Sequence, residues 1–304
     1  MQTRRIGSLS VSIVGLGCNN FGMTIDEKQS ADVVHAALDA GINFFDIADM
    51  YGGTDSERFL GKALGTRRND AIVATKFGMR ASDELQGGAR PDYIRRAVEA
   101  SLKRLNIDRI DLYQLHKPDP AVPIADTLAA MNELVNAGKV REIGCSNFSV
   151  AQLQEADGAI RKGAAKFVSV QNQYSLLHRD PEKDVLPESA RLGLAFLPYF
   201  PLANGLLTGK YAKGVAPPKG TRMQMSWAAS GLTEKNFAIV EGLRAVAARS
   251  GHSMLELAFS WLLRHDAVAS VIAGATKPEQ IRGNAAAAAW QISKDDLAAI
   301  DSCC

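Results

Sequence analysis

Cysteine, net charge and long apolar runs are all scarce in this 304-residue sequence. Its four cysteines follow no metal-binding spacing, and an adjacent pair such as Cys303 and Cys304 is poorly placed for an ordinary disulfide. Because Cys18 and Cys145 stand alone as well, a reducing compartment is expected and a metal site is not. The 35 basic and 33 acidic residues leave a net charge of +2, which disfavours a nucleic-acid partner.

No stretch reaches the ~20 apolar residues that a membrane span needs. Thr3-Arg4-Arg5 has a faint similarity to a twin-arginine export signal. The residues that follow are interrupted by glycine and serine and contain no small-residue cleavage site, so that interpretation is rejected. The expectation is a soluble, cytoplasmic protein without a membrane partner.

A dinucleotide-binding glycine fingerprint is also missing. After Gly15 and Gly17 the next glycine is Gly22, so the spacing is not G-x-G-x-x-G. No acidic residue ends a second strand in the expected place either. A Rossmann domain is therefore not predicted.

Short apolar runs that alternate with helical periods organise the chain. The runs predicted as buried strands are residues 13–17, 44–46, 71–75, 110–115, 140–145, 167–170, 194–197 and 270–272. Helices are predicted at residues 26–40, 56–64, 124–137, 150–160, 185–192, 233–250, 253–264, 278–289 and 293–301, and another begins at Pro91. Before the first strand, residues 4–6 and 10–12 predict a hairpin.

The repeated strand–helix units predict an α/β fold of the TIM (β/α)8 barrel class, with an N-terminal β-hairpin and extra helices. Such a barrel fills a chain of this size as one domain, so residues 1–304 are expected to form a single domain. Residues 201–231 show no helical period and are predicted as a functional loop or as partly disordered. Active groups are expected at the C-terminal ends of the strands.

Polar side chains stand where three successive predicted strands end. Asp46, Lys76 and His116 occupy these positions, and Tyr51 lies in the loop after Asp46, just before two glycines. Taken singly, each has an ordinary interpretation: a cap, a solvated strand end, a core histidine and a packing tyrosine. Together they predict one cleft, in which a cation lowers the pKa of a phenol from about 10 and makes it a proton donor.

Several ordered segments resemble the aldo-keto reductases along essentially the whole chain. They are Asn43-Phe44-Phe45-Asp46 with Tyr51-Gly52, Thr75-Lys76, Leu115-His116, Gly144-Cys145-Ser146-Asn147-Phe148, Gln171-Asn172-Gln173-Tyr174, Tyr199-Phe200-Pro201-Leu202 with Gly205-Leu206-Leu207-Thr208-Gly209-Lys210-Tyr211, and residues 274–284. The resemblance implies a barrel that binds NADPH or NADP+ in an extended pose without a Rossmann domain. It also implies that small carbonyl substrates, aldehydes or ketones, are reduced to alcohols.

The resemblance implies a role for each catalytic candidate. Tyr51 would give its proton to the carbonyl oxygen as hydride arrives from the nicotinamide. Lys76 would lower the pKa of Tyr51, and Asp46 would keep Lys76 charged and in place. His116, as a neutral donor, would orient the carbonyl and relay the proton.

The cofactor positions are carried over from the same resemblance. Ser146, Asn147 and Gln171 resemble the groups that hydrogen-bond the nicotinamide carboxamide. Tyr199 resembles the aromatic residue on which the nicotinamide ring stacks. The other positions are Phe200 and Pro201 in the loop, backbone amides around Leu202, Asn204, Gly205 and Leu207 with Lys210 for the pyrophosphate, Thr276 and Lys277 after Gly274 for the 2′-phosphate, and Gln280 and Asn284 near the adenine.

Two positions depart from the family pattern. Cys18-Asn19-Asn20 stands where many members have an aromatic residue, so the pocket wall is predicted to be more polar. Phe200 replaces the serine that is usual between Tyr199 and Pro201, which is expected to alter how the loop clasps the pyrophosphate.

Two other functions stay open. The same fold serves in ion-channel β-subunits, so an NADP-binding regulatory subunit with little turnover is one alternative. A barrel aldolase with Lys76 in a Schiff base is the other, and borohydride trapping would reveal it. A sugar aldehyde, a methylglyoxal-like dicarbonyl and a pyridoxal-type aldehyde are all compatible substrates, and the oligomeric state is open.

Overall fold

The computed structural model describes residues 1–80, 86–218 and 221–304. The chain begins with an antiparallel hairpin of β1 (Thr3–Ile6) and β2 (Leu9–Ser12), which confirms the predicted hairpin. The Arg4 guanidinium donates hydrogen bonds to three carbonyls between residues 263 and 268, just before the last strand. The hairpin is therefore fixed against the N-terminal end of the barrel.

Eight parallel strands form the barrel, as predicted. They are β3 (Val14–Gly17), β4 (Phe44–Asp46), β5 (Ile72–Phe77), β6 (Ile110–Leu115), β7 (Val140–Ser146), β8 (Phe167–Gln173), β9 (Ala195–Tyr199) and β10 (Val271–Gly274). Their order is β10-β3-β4-β5-β6-β7-β8-β9. Phe196 on β9 closes the ring, because its N–H donates to Ala267 (2.7 Å) and its carbonyl accepts from Ala269 (3.1 Å).

Helices follow the strands and cover the barrel. They are α1 (Glu27–Asp39), α2 (Asp55–Leu64), α3 (Pro91–Leu105), α4 (Ile124–Asn136), α5 (Val150–Gly158), α6 (Val185–Leu192), α7 (Ser226–Ala229), α8 (Glu234–Arg249), α9 (Met254–Leu263), α10 (Pro278–Ala286) and α11 (Lys294–Asp301). Several starts follow directly from the sequence. Asp26 and Gln29 form a capping box at α1, and Pro91 takes the first turn of α3.

The structure differs from the predicted boundaries mainly at the C-terminal ends of strands. Lys76 was expected just after its strand but lies inside β5, and Gln171 lies inside β8. The apolar pattern stops before the hydrogen-bond ladder does, because the interior of this end of the barrel is polar. The loop at residues 201–231 also contains short helical turns at Ala203–Thr208 and Arg222–Gln224, besides α7; its residues 219–220 lie outside the described part.

The barrel interior changes character along its axis. Near the hairpin it is filled by an apolar cluster that includes Val11, Phe44, Leu112 and Ile272. Side chains alternate along a strand, so Asp46 points to the same side as Phe44, two residues further toward the C-terminal end. The polar groups of that end therefore rest on an apolar floor. In the described ranges no helix combines the length and apolar character that crossing a membrane requires.

Candidate active site

Lys76 and Asp46 form a buried ion pair inside the barrel. Their exposed fractions are 0% and 4%, and Lys76 Nζ lies 2.6 Å from Asp46 Oδ2. Lys76 Nζ also donates to the Ile47 carbonyl at 3.0 Å. The other carboxylate oxygen accepts from Gln171 Nε2 at 2.8 Å and Gln114 Nε2 at 3.3 Å. Because both charges are paired and hydrogen-bonded, the pair tolerates full burial.

Burial by itself lowers the pKa of Lys76, but the charge of Asp46 and the Tyr51 phenol outweigh it, so the pKa is raised. The lysine is therefore an ammonium at any physiological pH. The Asp46 carboxylate is what stabilises this positive charge of Lys76 in the barrel interior.

Tyr51 begins a 3₁₀ turn, Tyr51–Thr54, directly after the loop from β4. Gly52 and Gly53 have φ values of +57° and +65°, and a Cβ at Gly52 would lie 2.4 Å from the Phe21 carbonyl oxygen. Only glycine fits that position, which fixes the direction in which the chain leaves Tyr51. Lys76 Nζ lies 5.3 Å from the centre of the Tyr51 ring.

The pKa of the Tyr51 phenol is raised, because burial outweighs the lowering effect of the Lys76 charge. Lys76 thus acts in the predicted direction, but the net shift of the phenol in the ligand-free protein is upward. The hydroxyl is protonated at neutral pH, which is the state that a proton donor needs.

His116 follows β6 and faces Tyr51, with ring centres 6.0 Å apart and planes at 82°. Burial, with the charges of Lys76 and Lys117, lowers its pKa to about 3, so the imidazole is neutral. Its Nδ1 is sealed from solvent and has no hydrogen-bond partner in the described residues. Nε2 is therefore the nitrogen that can meet a ligand, and the four catalytic candidates lie together at the C-terminal ends of β4 to β6.

The candidates for the nicotinamide lie next to this cluster. Ser146 Oγ donates to the Gln171 carbonyl (2.7 Å), and Gln171 donates its side-chain amide to Asp46. Asn147 has φ of +61° and donates to the His116 carbonyl at 2.9 Å. The Tyr199 hydroxyl donates to Asn147 Oδ1, also at 2.9 Å. The carboxamide candidates and the aromatic candidate are thus tied to the catalytic cluster by direct hydrogen bonds.

The loop after Tyr199 is conformationally strained. Phe200, Ala203 and Asn204 all have left-handed φ values, of +52°, +45° and +57°. The backbone N–H groups of Gly205 and Leu207 both donate to the carbonyl of residue 202, at 2.8 and 3.2 Å. Two of the amides expected to face a pyrophosphate are therefore used inside the turn itself. Pro201 is buried and Leu202 is half-buried.

Beside this turn, a Cβ at Gly205 would come within 3.3 Å of Lys210 Nζ, so glycine leaves the space that the exposed lysine occupies. Asn204 Oδ1 is buried and has no partner in the described part of the chain. The turn therefore has a cation next to Gly205 and contains an unsatisfied polar atom at Asn204.

A second group of candidates lies at the start of α10. Lys277 is exposed and immediately precedes the helix, after Gly274 and Thr276. Gln280 Oε1 accepts from the Thr276 backbone N–H at 2.7 Å and from its hydroxyl at 3.2 Å. Asn284 is buried on the same helix. The helix N-terminus and the lysine both favour an anion here.

Arg222 is a site residue that the sequence analysis missed. Its Nη2 donates to Asn20 Oδ1 (2.8 Å) and Asn19 Oδ1 (3.2 Å), and its guanidinium lies over the Phe200 ring at 5.8 Å. It therefore joins the two positions that depart from the family pattern. Burial lowers the pKa of Arg222, and the nearby Tyr51 acts in the opposite direction. Arg222 has no acidic partner in the described residues. The loop's lack of helical period left no sequence signal for it.

The arrangement can bind an anion along the loop and α10, and can transfer a proton at Tyr51. No group of three or more His, Cys, Asp or Glu side chains within the described ranges is placed to hold a metal ion. The chemistry available is therefore that of a buried lysine, a phenol and a neutral imidazole around one cleft.

Comparison with known proteins adds an independent line of evidence. A family model described as the aldo/keto reductase family matches residues 13–304. A protein of Oryza sativa subsp. japonica named probable voltage-gated potassium channel subunit beta is 35% identical over 295 residues, which cover 93% of this chain and 90% of that protein.

Two solved structures are similar over nearly the whole chain. The glycerol dehydrogenase AKR11B4 from Gluconobacter oxydans has a TM-score of 0.86 at 31% identity, covering 99% of this chain and 94% of that one. The aldo-keto reductase AKR11C1 from Bacillus halodurans, in its holo form, has a TM-score of 0.83 at 31% identity, with 100% and 96% coverage.

Proposed function

The chain belongs to the aldo/keto reductase family, and from that premise we propose that it reduces aldehydes or ketones to alcohols with NADPH, with Tyr51 as the proton donor. One observation carries the proposal. A fully buried lysine, held by a carboxylate, lies beside a phenol that faces a neutral histidine. A buried cation and a protonated phenol around one cleft suit a reaction in which negative charge develops on oxygen.

In the proposed reaction the cofactor supplies a hydride to the carbonyl carbon when it is bound. Tyr51 gives its proton to the carbonyl oxygen, and the phenolate that remains is stabilised by the Lys76 ammonium. Asp46 keeps that ammonium charged and in place. His116, neutral because its pKa is about 3, donates a hydrogen bond from Nε2 that orients the carbonyl.

The residues present fit a cofactor with a diphosphate. Arg222 is a half-buried cation whose side chain contacts Asn19, Asn20 and the Phe200 ring, and the exposed Lys210 belongs to the same long loop. We propose that the side chains of Arg222 and Lys210 hold the diphosphate, with the nicotinamide between Tyr199 and the Ser146, Asn147 and Gln171 side chains.

The preference for NADPH over NADH is assigned to the start of α10. Thr276 and Lys277 would meet the 2′-phosphate there, and Gln280 and Asn284 would lie near the adenine. The support is an exposed lysine at the N-terminus of a helix, where an anion is favoured.

The test follows NADPH absorbance with an activated aldehyde such as 4-nitrobenzaldehyde. Wild type is expected to consume NADPH, and Tyr51→Phe is expected to lose roughly 10²- to 10⁴-fold in kcat while still binding NADPH. Lys277→Met should raise the KM for NADPH and leave that for NADH unchanged. Lys294→Met, at an exposed lysine that begins another helix, α11, is the control. Full activity of Tyr51→Phe would contradict the assignment of the proton donor.

A second function is a cofactor-binding regulatory subunit with little turnover. It is favoured by the similarity to the rice protein named as a potassium channel β-subunit. This alternative predicts that NADPH binds tightly while every aldehyde tested is reduced far below one turnover per second. Ordinary steady-state turnover by the wild type, lost in Tyr51→Phe, would argue against it.

A further inference from the structure

Asp49 is a fully buried carboxyl group that the proposed reaction does not use. It lies two residues before Tyr51, and its backbone N–H donates to the Lys76 carbonyl oxygen at 3.0 Å. It therefore links the segment that carries the proposed proton donor to the strand that carries the lysine.

Charged and titratable groups face Asp49 from four elements of the barrel. They are Glu57 on α2, Arg104 and Tyr93 on α3, Lys76 on β5 and Tyr113 on β6. Glu57 is itself fully buried and accepts from Arg104 Nε and from Thr75 Oγ1, both at 2.6 Å. Arg104 thus already forms an ion pair with Glu57, and Asp49 is an additional acidic group next to that pair.

The side chain of Asp49 has little compensation for its full burial. Both carboxyl oxygens are sealed from solvent, and no side chain in the described residues hydrogen-bonds to them; the Tyr113 hydroxyl is likewise sealed and without a partner there. In such a position the charged carboxylate is strongly disfavoured relative to the neutral acid, because burial penalises the charge far more than the neutral group. Burial and the charge of Glu57 accordingly raise the pKa of Asp49 to about 7, although Arg104, a hydrogen bond from the Met50 backbone N–H and Lys76 act against them.

We propose that Asp49 is a positioning residue for Tyr51: the neutral acid keeps the Tyr51 loop in its working position, and loss of the proton displaces the loop and stops turnover. This inference rests on the proposed reductase function, since it assigns Tyr51 the proton-donor role. It adds an on–off control that depends on pH and lies outside the groups that touch the substrate.

The segment between β4 and α2 is the part that can respond to a new charge. Ile47 and Asp49 each hold it to β5 with one backbone hydrogen bond, and the Tyr51 N–H donates within the segment to Ala48. A carboxylate at Asp49 is repelled by Glu57 and gains solvation only by moving toward water. That movement strains the bond to β5, and Tyr51 moves with it.

The pH range in which this control acts is free of the two groups that face the substrate. His116 has a pKa of about 3, and the pKa of the Tyr51 phenol is raised above its ordinary value of 10.0. A loss of turnover centred near pH 7 therefore points to Asp49 and not to these two.

The first test compares pH profiles of kcat and KM for NADPH-dependent aldehyde reduction by wild type and Asp49→Asn. In the active state Asp49 carries its proton, and the pKa of Asp49 is about 7. Wild-type kcat is therefore expected to fall about tenfold between pH 6 and pH 8, with KM nearly constant. Asp49→Asn, which cannot ionise, should keep its pH 6 turnover at pH 8. Asp55→Asn, which breaks an exposed ion pair at the start of α2, should retain the wild-type profile.

An identical fall in wild type and Asp49→Asn, or a flat wild-type profile, would overturn the proposal. A second readout does not need activity: amide hydrogen exchange in residues 47–54, corrected for the intrinsic effect of pH. Protection of these amides should fall about tenfold from pH 6 to pH 8 in wild type and stay constant in Asp49→Asn. If no aldehyde is reduced but this exchange pattern is found, the reductase proposal fails and the Asp49 control of the loop stands; unchanged protection in both proteins refutes the control itself.

Discussion

Replacing Asp49 by asparagine should make the folded protein more stable, and the gain should depend on pH. The pKa of Asp49 in the folded protein, about 7, lies above its ordinary value of 3.8. The contribution of Asp49 protonation to the free energy of unfolding of wild type is therefore fully present below pH 3.8. It is lost progressively as the pH rises to about 7, because folding then forces Asp49 to keep a proton or to be buried as an ion. Asparagine has nearly the same shape and no proton to lose, so Asp49→Asn escapes this loss.

The size of the effect follows from the two pKa values. A difference of about three units at 1.36 kcal/mol per unit gives a loss of about 4 kcal/mol in wild type at pH 7 and above. Between pH 5 and pH 7 this loss grows by about 2 kcal/mol. The asparagine amide also lacks partners, which lowers the absolute gain at every pH but leaves the pH-dependent part unchanged.

Urea unfolding at pH 5 and pH 8, followed by circular dichroism and tryptophan fluorescence, measures this difference. The free energy of unfolding of Asp49→Asn minus that of wild type should increase by about 3 kcal/mol between the two pH values. Asp55→Asn, at an exposed position, should show no comparable increase. A constant difference would mean that Asp49 is already ionised in the folded protein at pH 5, and the reasoning from its missing hydrogen bonds would be refuted.

Three further substitutions test the site. Lys76→Met should lower the free energy of unfolding in urea by about 3–5 kcal/mol, because Asp46 is left as an unpaired buried charge. Adding Asp46→Asn should recover most of that loss without restoring turnover. A Lys76→Met variant as stable as wild type would contradict the role of the ion pair. Gly52→Ala should lose more stability and more kcat than Gly53→Ala. Both glycines have positive φ, but only at Gly52 would a Cβ lie 2.4 Å from a backbone oxygen. Equal losses in the two variants would show that φ alone matters. Arg222→Met should weaken NADPH binding at least about tenfold in a fluorescence titration, with thermal stability nearly unchanged, and an unaltered affinity would remove this cation from the proposed diphosphate site.

The fold was largely predictable, because local signals agree along the chain. Capping residues such as Asp26 and Pro91 mark helix starts, and apolar runs such as Ile110–Leu115 match their strands residue for residue. The grouping of the catalytic candidates was also predictable, since Asp46, Lys76 and His116 lie at or next to the C-terminal ends of neighbouring parallel strands and the register of a barrel brings such ends together.

What could not be predicted depends on contacts between distant parts of the chain. Glu57 and Arg104 stand on helices at positions where charged residues are ordinarily solvated, and only the packing of α2 against α3 makes them a buried pair. Asp49 has no sequence feature that separates it from a turn residue. Arg222 is placed by an irregular loop whose path no periodic pattern encodes, so its contacts with Asn19 and Asn20 become visible only in three dimensions.

The closure of the barrel is not equally strong on all sides. Between β9 and the residues before β10, two backbone hydrogen bonds at Phe196 hold the described residues together, whereas β8 and β9 pair over five positions. The chain between β9 and β10 is also the longest connection of the barrel, and it contains the strained turn and Arg222. This junction is a seam, and local opening should start there. Opening at the seam would leave the β4–β6 side, which holds Lys76 and Asp46, closed.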